Sequence, residues 1–285
     1  MKSPDLLPIL SIFNSHPRDK YIKFIEEGHR YIVLFEPDKV YTSVTTWNHQ
    51  HFPHFNADEV IQNMMKGKGW KEGHKYWGLT PDEIKALWDS NKDSVSQAGT
   101  DLHYKIERFH NEPLITFRYS NKDLYLFNTP TSKSIKINNS SIEWQYFMNF
   151  IKDHPHLKPF RTEWMVYHEE ARISGSIDMV YENPDGTLAI YDWKRVKNIT
   201  RVNTFNKFAT NPIICHFPDA NFWHYALQLN TYKYILETKY GVKINGLFLV
   251  RLHPDAEEKN YELIELPDLQ SEVDELFKER IKQVC

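Results

Sequence analysis

Two acidic residues and a lysine carry the most chemistry in this chain. Asp178 lies in Gly175-Ser176-Ile177-Asp178-Met179-Val180-Tyr181, and Asp192 and Lys194 lie in Tyr191-Asp192-Trp193-Lys194. Between the two stretches, Asn183-Pro184-Asp185-Gly186 is a cluster of residues that closes hairpins. Both flanks are apolar and β-prone, so closing the hairpin sets Asp178 near Asp192. Residues i and i+2 share a strand face, so Asp192 and Lys194 point the same way. Two carboxylates and an ammonium make little sense in an apolar core. They suit the binding of a divalent cation such as Mg²⁺ or Mn²⁺ and the activation of a water.

The elements that must position these groups read as mixed α/β. Strands are expected at residues 161–168, 172–182 and 188–194, with a late strand at 246–252 and an edge strand at 262–266. A hairpin is expected from residues 31–35 and 40–46, turning at 36–39, and a short helix at 58–65. Thr80-Pro81-Asp82-Glu83 is a capping box with proline at the first helical position, predicting a helix to about residue 90. Gly99-Thr100 is read as opening a second helix to about residue 110, and Ser140-Ser141-Ile142-Glu143 caps a third. A long helix over about 221–240 ends at Gly241, and a terminal helix follows Pro267.

Four motifs in order resemble the PD-(D/E)xK nuclease superfamily, and within it the RecB-like exonucleases. They are Gly99-Thr100-Asp101-Leu102-His103, Gly175-Ser176-Ile177-Asp178, Asp192-Trp193-Lys194 and Gln228-Leu229-Asn230-Thr231-Tyr232. The last is similar to the Q-x-x-x-Y element of that group, which includes the mitochondrial genome maintenance exonuclease; lambda exonuclease is a more distant likeness. The resemblance implies a restriction-endonuclease-like core, a mixed central β-sheet flanked by helices. Residues 99–285 would form that core, with an irregular insertion at about 116–139. Residues 1–98 would be a hairpin and helical elaboration packed on it.

The resemblance also implies roles. His103, Asp178, Asp192 and the backbone carbonyl of Trp193 would hold the metal, and Glu107 and Glu163 are further candidate ligands. Lys194 would orient the attacking water or stabilise its deprotonated form. Gln228 and Tyr232, four apart on one helical face, would approach the site and help to position DNA or the lysine. Arg195 stands where the family commonly has a small Thr or Ser. The activity implied is hydrolysis of DNA, exonucleolytic in preference, in repair, recombination or replication. A structure-specific or RNA-directed endonuclease and a catalytically inert nucleic-acid-binding module are the alternatives. A stand-alone nuclease of this kind would fit a virus, a phage or an organelle.

Composition narrows the classes further. The chain has 285 residues, 41% hydrophobic and 26% charged, with a net charge of −3. That balance is ordinary for a globular protein. No apolar run approaches the roughly 18 residues of a membrane span, and no signal-peptide pattern is present, so a soluble intracellular protein is expected. Its two cysteines, Cys215 and Cys285, cannot build a disulfide framework or the four-thiolate iron–sulfur cluster that some RecB-like nucleases carry. Phosphate contacts need local rather than global positive charge. Lys66, Lys68, Lys71 and Lys75 form one basic cluster. Arg195, Lys197, Arg201 and Lys207 form another beside the catalytic strand, interleaved with Phe205, Phe208 and Phe217, and are expected to contact DNA. His49, His51 and His54 are read as a histidine-rich loop rather than a zinc site, which would need a fourth ligand.

Overall fold

The computed structural model describes residues 8–111, 118–120, 123–126, 135–137 and 141–284. A short helix α1 (Ile9–Phe13) precedes the hairpin β1 (Ile22–Ile25) and β2 (Arg30–Val33), whose register sets Phe24 opposite Tyr31. Strand β3 (Thr42–Ser43) runs into α2 (Val44–His49), where the Ser43 side chain accepts from the Thr46 N–H as N-cap. Helices α3 (Ala57–Lys66) and α4 (Pro81–Asn111) follow, then β4 (Arg118–Ser120), β5 (Asp123–Leu126) and β6 (Ile135–Ile137). Helix α5 (Ile142–Asp153) leads to β7 (Lys158–His168), β8 (Ile173–Glu182) and β9 (Leu188–Lys194). Helix α6 (Asn221–Lys239), β10 (Ile244–Arg251), β11 (Glu262–Glu265) and α7 (Gln270–Val284) complete the order.

The central sheet is mixed and six-stranded, as expected of a restriction-endonuclease-like core. Its order is β11-β10-β9-β8-β3, with β7 also paired to β8. The β8–β9 hairpin turns on Gly186, whose φ of 82° a side chain would resist. Along β9 the side chains alternate. Leu188 and Ile190 enter a core with α6 and α7, whereas Ala189, Tyr191 and Trp193 enter a second core with α4 and α5. That alternation puts Asp192 and Lys194 on the α6 face.

Two expectations are corrected. Residues 31–35 do not pair with 40–46. Residues 30–33 fold back onto 22–25, because Gly28 and His29, at φ 75° and 49°, supply the left-handed positions a tight reversal needs. Thr42 and Ser43 instead pair in parallel with Ile173 and Ser174 of β8. The two helices expected at 80–90 and 99–110 are a single helix, α4, starting at the Thr80–Glu83 capping box. Nothing between residues 91 and 98 breaks it. A mid-helix glycine costs only about 1 kcal/mol, and Gln97–Asp101 and Thr100–Ser96 side-chain bonds span Gly99. Gly99 therefore lies inside the helix rather than opening it.

The irregular insertion expected at about 116–139 falls largely outside the described residues. The three strands within it pair only with one another in the described sheet. No described helix is long and apolar enough to cross a membrane.

Candidate active site

The site sits where β8 is left between two neighbours. The ladder from β8 to β9 ends at Met179–Tyr191, and that to β3 takes up Ser174 and Ile173, so Gly175–Asp178 face the gap between β9 and β3. Asp178 projects there. One of its oxygens, Oδ2, accepts from the Trp193 N–H at 3.1 Å, which locks the carboxylate to β9. Helix α4 brings His103 to the same point. The carbonyl of Trp193 lies 2.8 Å from His103 Nε2, and a carbonyl can only accept, so Nε2 carries the hydrogen. Nδ1 then faces Asp178 Oδ2, 3.5 Å away.

Glu163 enters from β7, opposite Asp178 across the β7–β8 ladder. Its φ of 44° is unusual for a residue with a side chain, and its Oε2 accepts from the Ser176 hydroxyl at 3.0 Å. Ligand atoms of His103, Glu163 and Asp178 lie within 4.8 Å of one another. Burial, then Asp178, Glu107 and Asp192, push the Glu163 carboxyl up to about 8. So much negative charge in a confined space fits a divalent cation. His103, Glu163 and Asp178 would hold it, with Glu107 near enough to act on Glu163. When bound, such an ion would polarise a phosphoryl oxygen and lower the pKa of a water.

Asp192 and Lys194 form their own pair. Lys194 Nζ lies 2.6 Å from Asp192 Oδ2, and the Asp192 side chain is only 4% exposed. Burial and the neighbouring Asp178 push Asp192 up to about 6 against the pull of Lys194. Burial would lower Lys194, but Asp192 and Asp178 outweigh it and keep the ammonium charged above its usual range. Its Nζ also sits 4.6 Å from the centre of the Tyr225 ring, a cation–π contact. The lysine is thereby oriented from two sides. Asp192 is thus engaged by the ammonium while the other three groups converge, and the Trp193 carbonyl serves His103.

Tyr232 is buried on α6, with Gln228 one turn before it on the same helix. Gly175 leaves the room: a methyl there would lie 2.7 Å from the Tyr232 Oη. The Gly-Ser-Ile-Asp and Gln-x-x-x-Tyr segments therefore interlock. Burial, together with Tyr31, Asp178 and Asp192, holds the phenol well above its ordinary value.

Residues 82–285 match the PD-(D/E)XK nuclease superfamily. The chain belongs to that superfamily. Nucleases of this superfamily use divalent metals, in keeping with the His103–Glu163–Asp178 cluster. Among solved structures the chain is similar to a protein from Eubacterium rectale provisionally designated an exonuclease, at 14% identity and TM-score 0.37, covering 86% of this chain and 80% of that one. It is also similar to a repair endonuclease from Pyrococcus abyssi, at 14% identity and TM-score 0.23, covering 57% of this chain and 61% of that one. No curated protein matches it.

The basic residues expected to contact DNA divide into two kinds. The Arg195 side chain, 17% exposed, is held by Glu143 at 2.7 Å. Lys197, Arg201 and Lys207 are exposed. Arg201 packs its guanidinium 4.1 Å from the centre of Phe222, and Phe205 stands 81% exposed at the tip of the same loop. Phe217 is buried and stacks on Trp223.

Sequence reasoning missed several groups. Tyr31 reaches the site from β2; burial and then Glu163 and Asp178 push its phenol up to about 12. No local signal marks it, since the misread hairpin hid its position. His224 is different, because His224, Gln228 and Tyr232 repeat every fourth residue and so share one face of α6. Of the histidines in residues 49–54, His51 is buried against Trp47 and His49 sits beside His224.

Proposed function

We propose that this nuclease hydrolyses DNA with a divalent metal ion, acting from strand ends in the manner of RecB-like exonucleases, in repair, recombination or replication. The observation that carries the reading is the convergence of His103, Glu163 and Asp178 beside the buried Asp192–Lys194 pair. The cluster would hold the cation. Lys194, charged and fixed by Asp192 and Tyr225, would orient the attacking water and offset the charge that builds on phosphorus. Tyr232 packed on Gly175, with Gln228 one turn before it on α6, supports the RecB-like assignment. Mg²⁺ or Mn²⁺ added to end-labelled linear DNA should release label, while closed circles stay intact. Cleaved circles would favour an endonuclease, cleavage of RNA alone an RNA-directed one, and no cleavage of any substrate an inert binding module.

Lys197, Arg201 and Lys207 are proposed as phosphate contacts, with Phe205 placed to pack on an end base. Arg195, occupied by Glu143, would act on DNA only by leaving that pair. Replacing Lys197, Arg201 and Lys207 together by Ala should weaken DNA binding. The slope of log affinity against log salt should fall by about two to three. Metal affinity measured by calorimetry should not change. An unaltered salt slope would remove this loop from the substrate path.

A further inference from the structure

On the α6 side of Lys194, a cleft of about 440 Å³ is lined by both Lys194 and His224. Asn48, His49, Lys194, Asp219, His224 and Gln228 line it. None of the roles described above uses its far end. Two features there call for an occupant. Asn48 is 3% exposed, and its buried Nδ2 has no hydrogen-bond partner although the residue lines the cleft. A buried donor left unpaired is costly, so such a group commonly waits for a ligand acceptor. The second feature is His224. Its Nε2 lies 2.8 Å from Asp219 Oδ1, its ring stacks on Phe52 at 3.8 Å and 22°, and the His49 ring stands 5.2 Å away. Asp219 is itself fixed by the basic loop: its N–H donates to the Lys207 carbonyl and its carbonyl accepts from Asn203 Nδ2.

A carboxylate can only accept, so Nε2 carries a hydrogen and Nδ1 is the nitrogen left to take up or give a proton. In hydrolysis of a phosphodiester the attacking and departing oxygens lie roughly in line across phosphorus. With the metal-ligand cluster and Lys194 at one end of that path, the cleft that Lys194 shares with His224 would take the other. We propose that this cleft receives the departing nucleotide and that His224, oriented by Asp219, donates the proton to the leaving oxygen. The inference rests on the nuclease reading. In the step, a P–O bond forms to water and the P–O bond to the departing sugar breaks. The proton on His224 Nδ1 passes to the departing oxygen, the proton of the water goes to solvent, and solvent reprotonates the imidazole. The charged or titratable neighbours lining the cleft with His224 are Asp219, His49, Lys194 and Tyr225. His49 is held below its usual value by burial and by His224 itself, so it adds little opposing charge near neutrality.

The test uses the full chain with Mn²⁺ and two oligonucleotides, one natural and one with sulfur in place of the leaving oxygen. Sulfur departs without a proton, so it bypasses a general acid. His224→Gln keeps a group able to donate to Asp219. It should cleave the natural strand about a hundredfold or more slowly, while its rate on the sulfur strand changes by less than about threefold. Asp219→Asn, which removes the carboxylate that orients the imidazole, should also slow the natural strand far more than the sulfur strand, a readout that holds even if His224→Gln proves poorly folded. Equal losses on both strands, or no loss on either, would overturn the proposal while leaving the nuclease reading in place. A wild-type protein that cleaves neither strand would overturn both.

Discussion

Lys194→Ala and Asp192→Asn are each expected to lower DNA cleavage by about a hundredfold or more, the scale on which losing one positioned transition-state group is felt. The two residues share a strand face and an ion pair of 2.6 Å, so each variant removes both a role in the reaction and a partner. Breaking a buried pair from one side commonly costs about 3–5 kcal/mol, because the remaining group stays buried and unpaired. Both variants should therefore melt lower than wild-type, and activity must be measured at a temperature where circular dichroism reports a folded chain. Near-normal turnover by either folded variant would remove the pair from the mechanism.

Glu163→Gln should act in opposite directions with and without metal. In the metal-free protein, burial and the surrounding carboxylates hold Glu163 at about 8, against 4.5 in an unfolded chain. The folded state then keeps a proton that the unfolded state has released. This stability is fully present below about pH 4.5 and is lost as pH rises through about 8. A glutamine mimics the protonated acid and does not titrate. In a chelator, the variant should match wild-type at low pH, melt progressively higher as pH rises, and hold a constant lead beyond about pH 8. With Mn²⁺ the order should reverse, because a ligand carboxylate is gone, and affinity should fall by about tenfold or more. A variant with unchanged metal affinity and a melting curve parallel to wild-type at every pH would place Glu163 outside the site.

Much of the site was legible because its residues obey local periodicities. Asp192 and Lys194 are two apart on a strand and Gln228 and Tyr232 four apart on a helix, so each pair lands on one face whatever else the chain does. The Pro184-Asp185-Gly186 turn then sets the Asp178 strand beside the other. Glu163 and His103 were reachable only through resemblance, because nothing local forces them toward Asp178. The N-terminal third was read less well. The turn at Gly28 and His29 outcompeted the one expected at residues 36–39, and β3 finds its partner far away in sequence. Helix α4 runs through Gly99 because surrounding side-chain bonds and length offset a single weak residue. Those outcomes depend on competition between distant segments, which periodicity does not record.

The pairing of Thr42 and Ser43 with β8, and the contact of Trp47 with Phe277 at 5.0 Å, also bear on how the chain reaches this state. Val44, Trp47 and Phe52, at 0%, 2% and 2% exposure, belong to the same core as Phe277 on α7. During synthesis they leave the ribosome early and must wait for the segments that cover them. Closing such long loops costs entropy before the contacts repay it, which makes folding slow and leaves apolar side chains uncovered meanwhile. Early folding on the ribosome is thus confined to local pieces such as the β1–β2 hairpin and α4. The core over Val44, Trp47 and Phe52 is completed only once α7 is available, so a chain stalled before α7 should be aggregation-prone rather than weakly active.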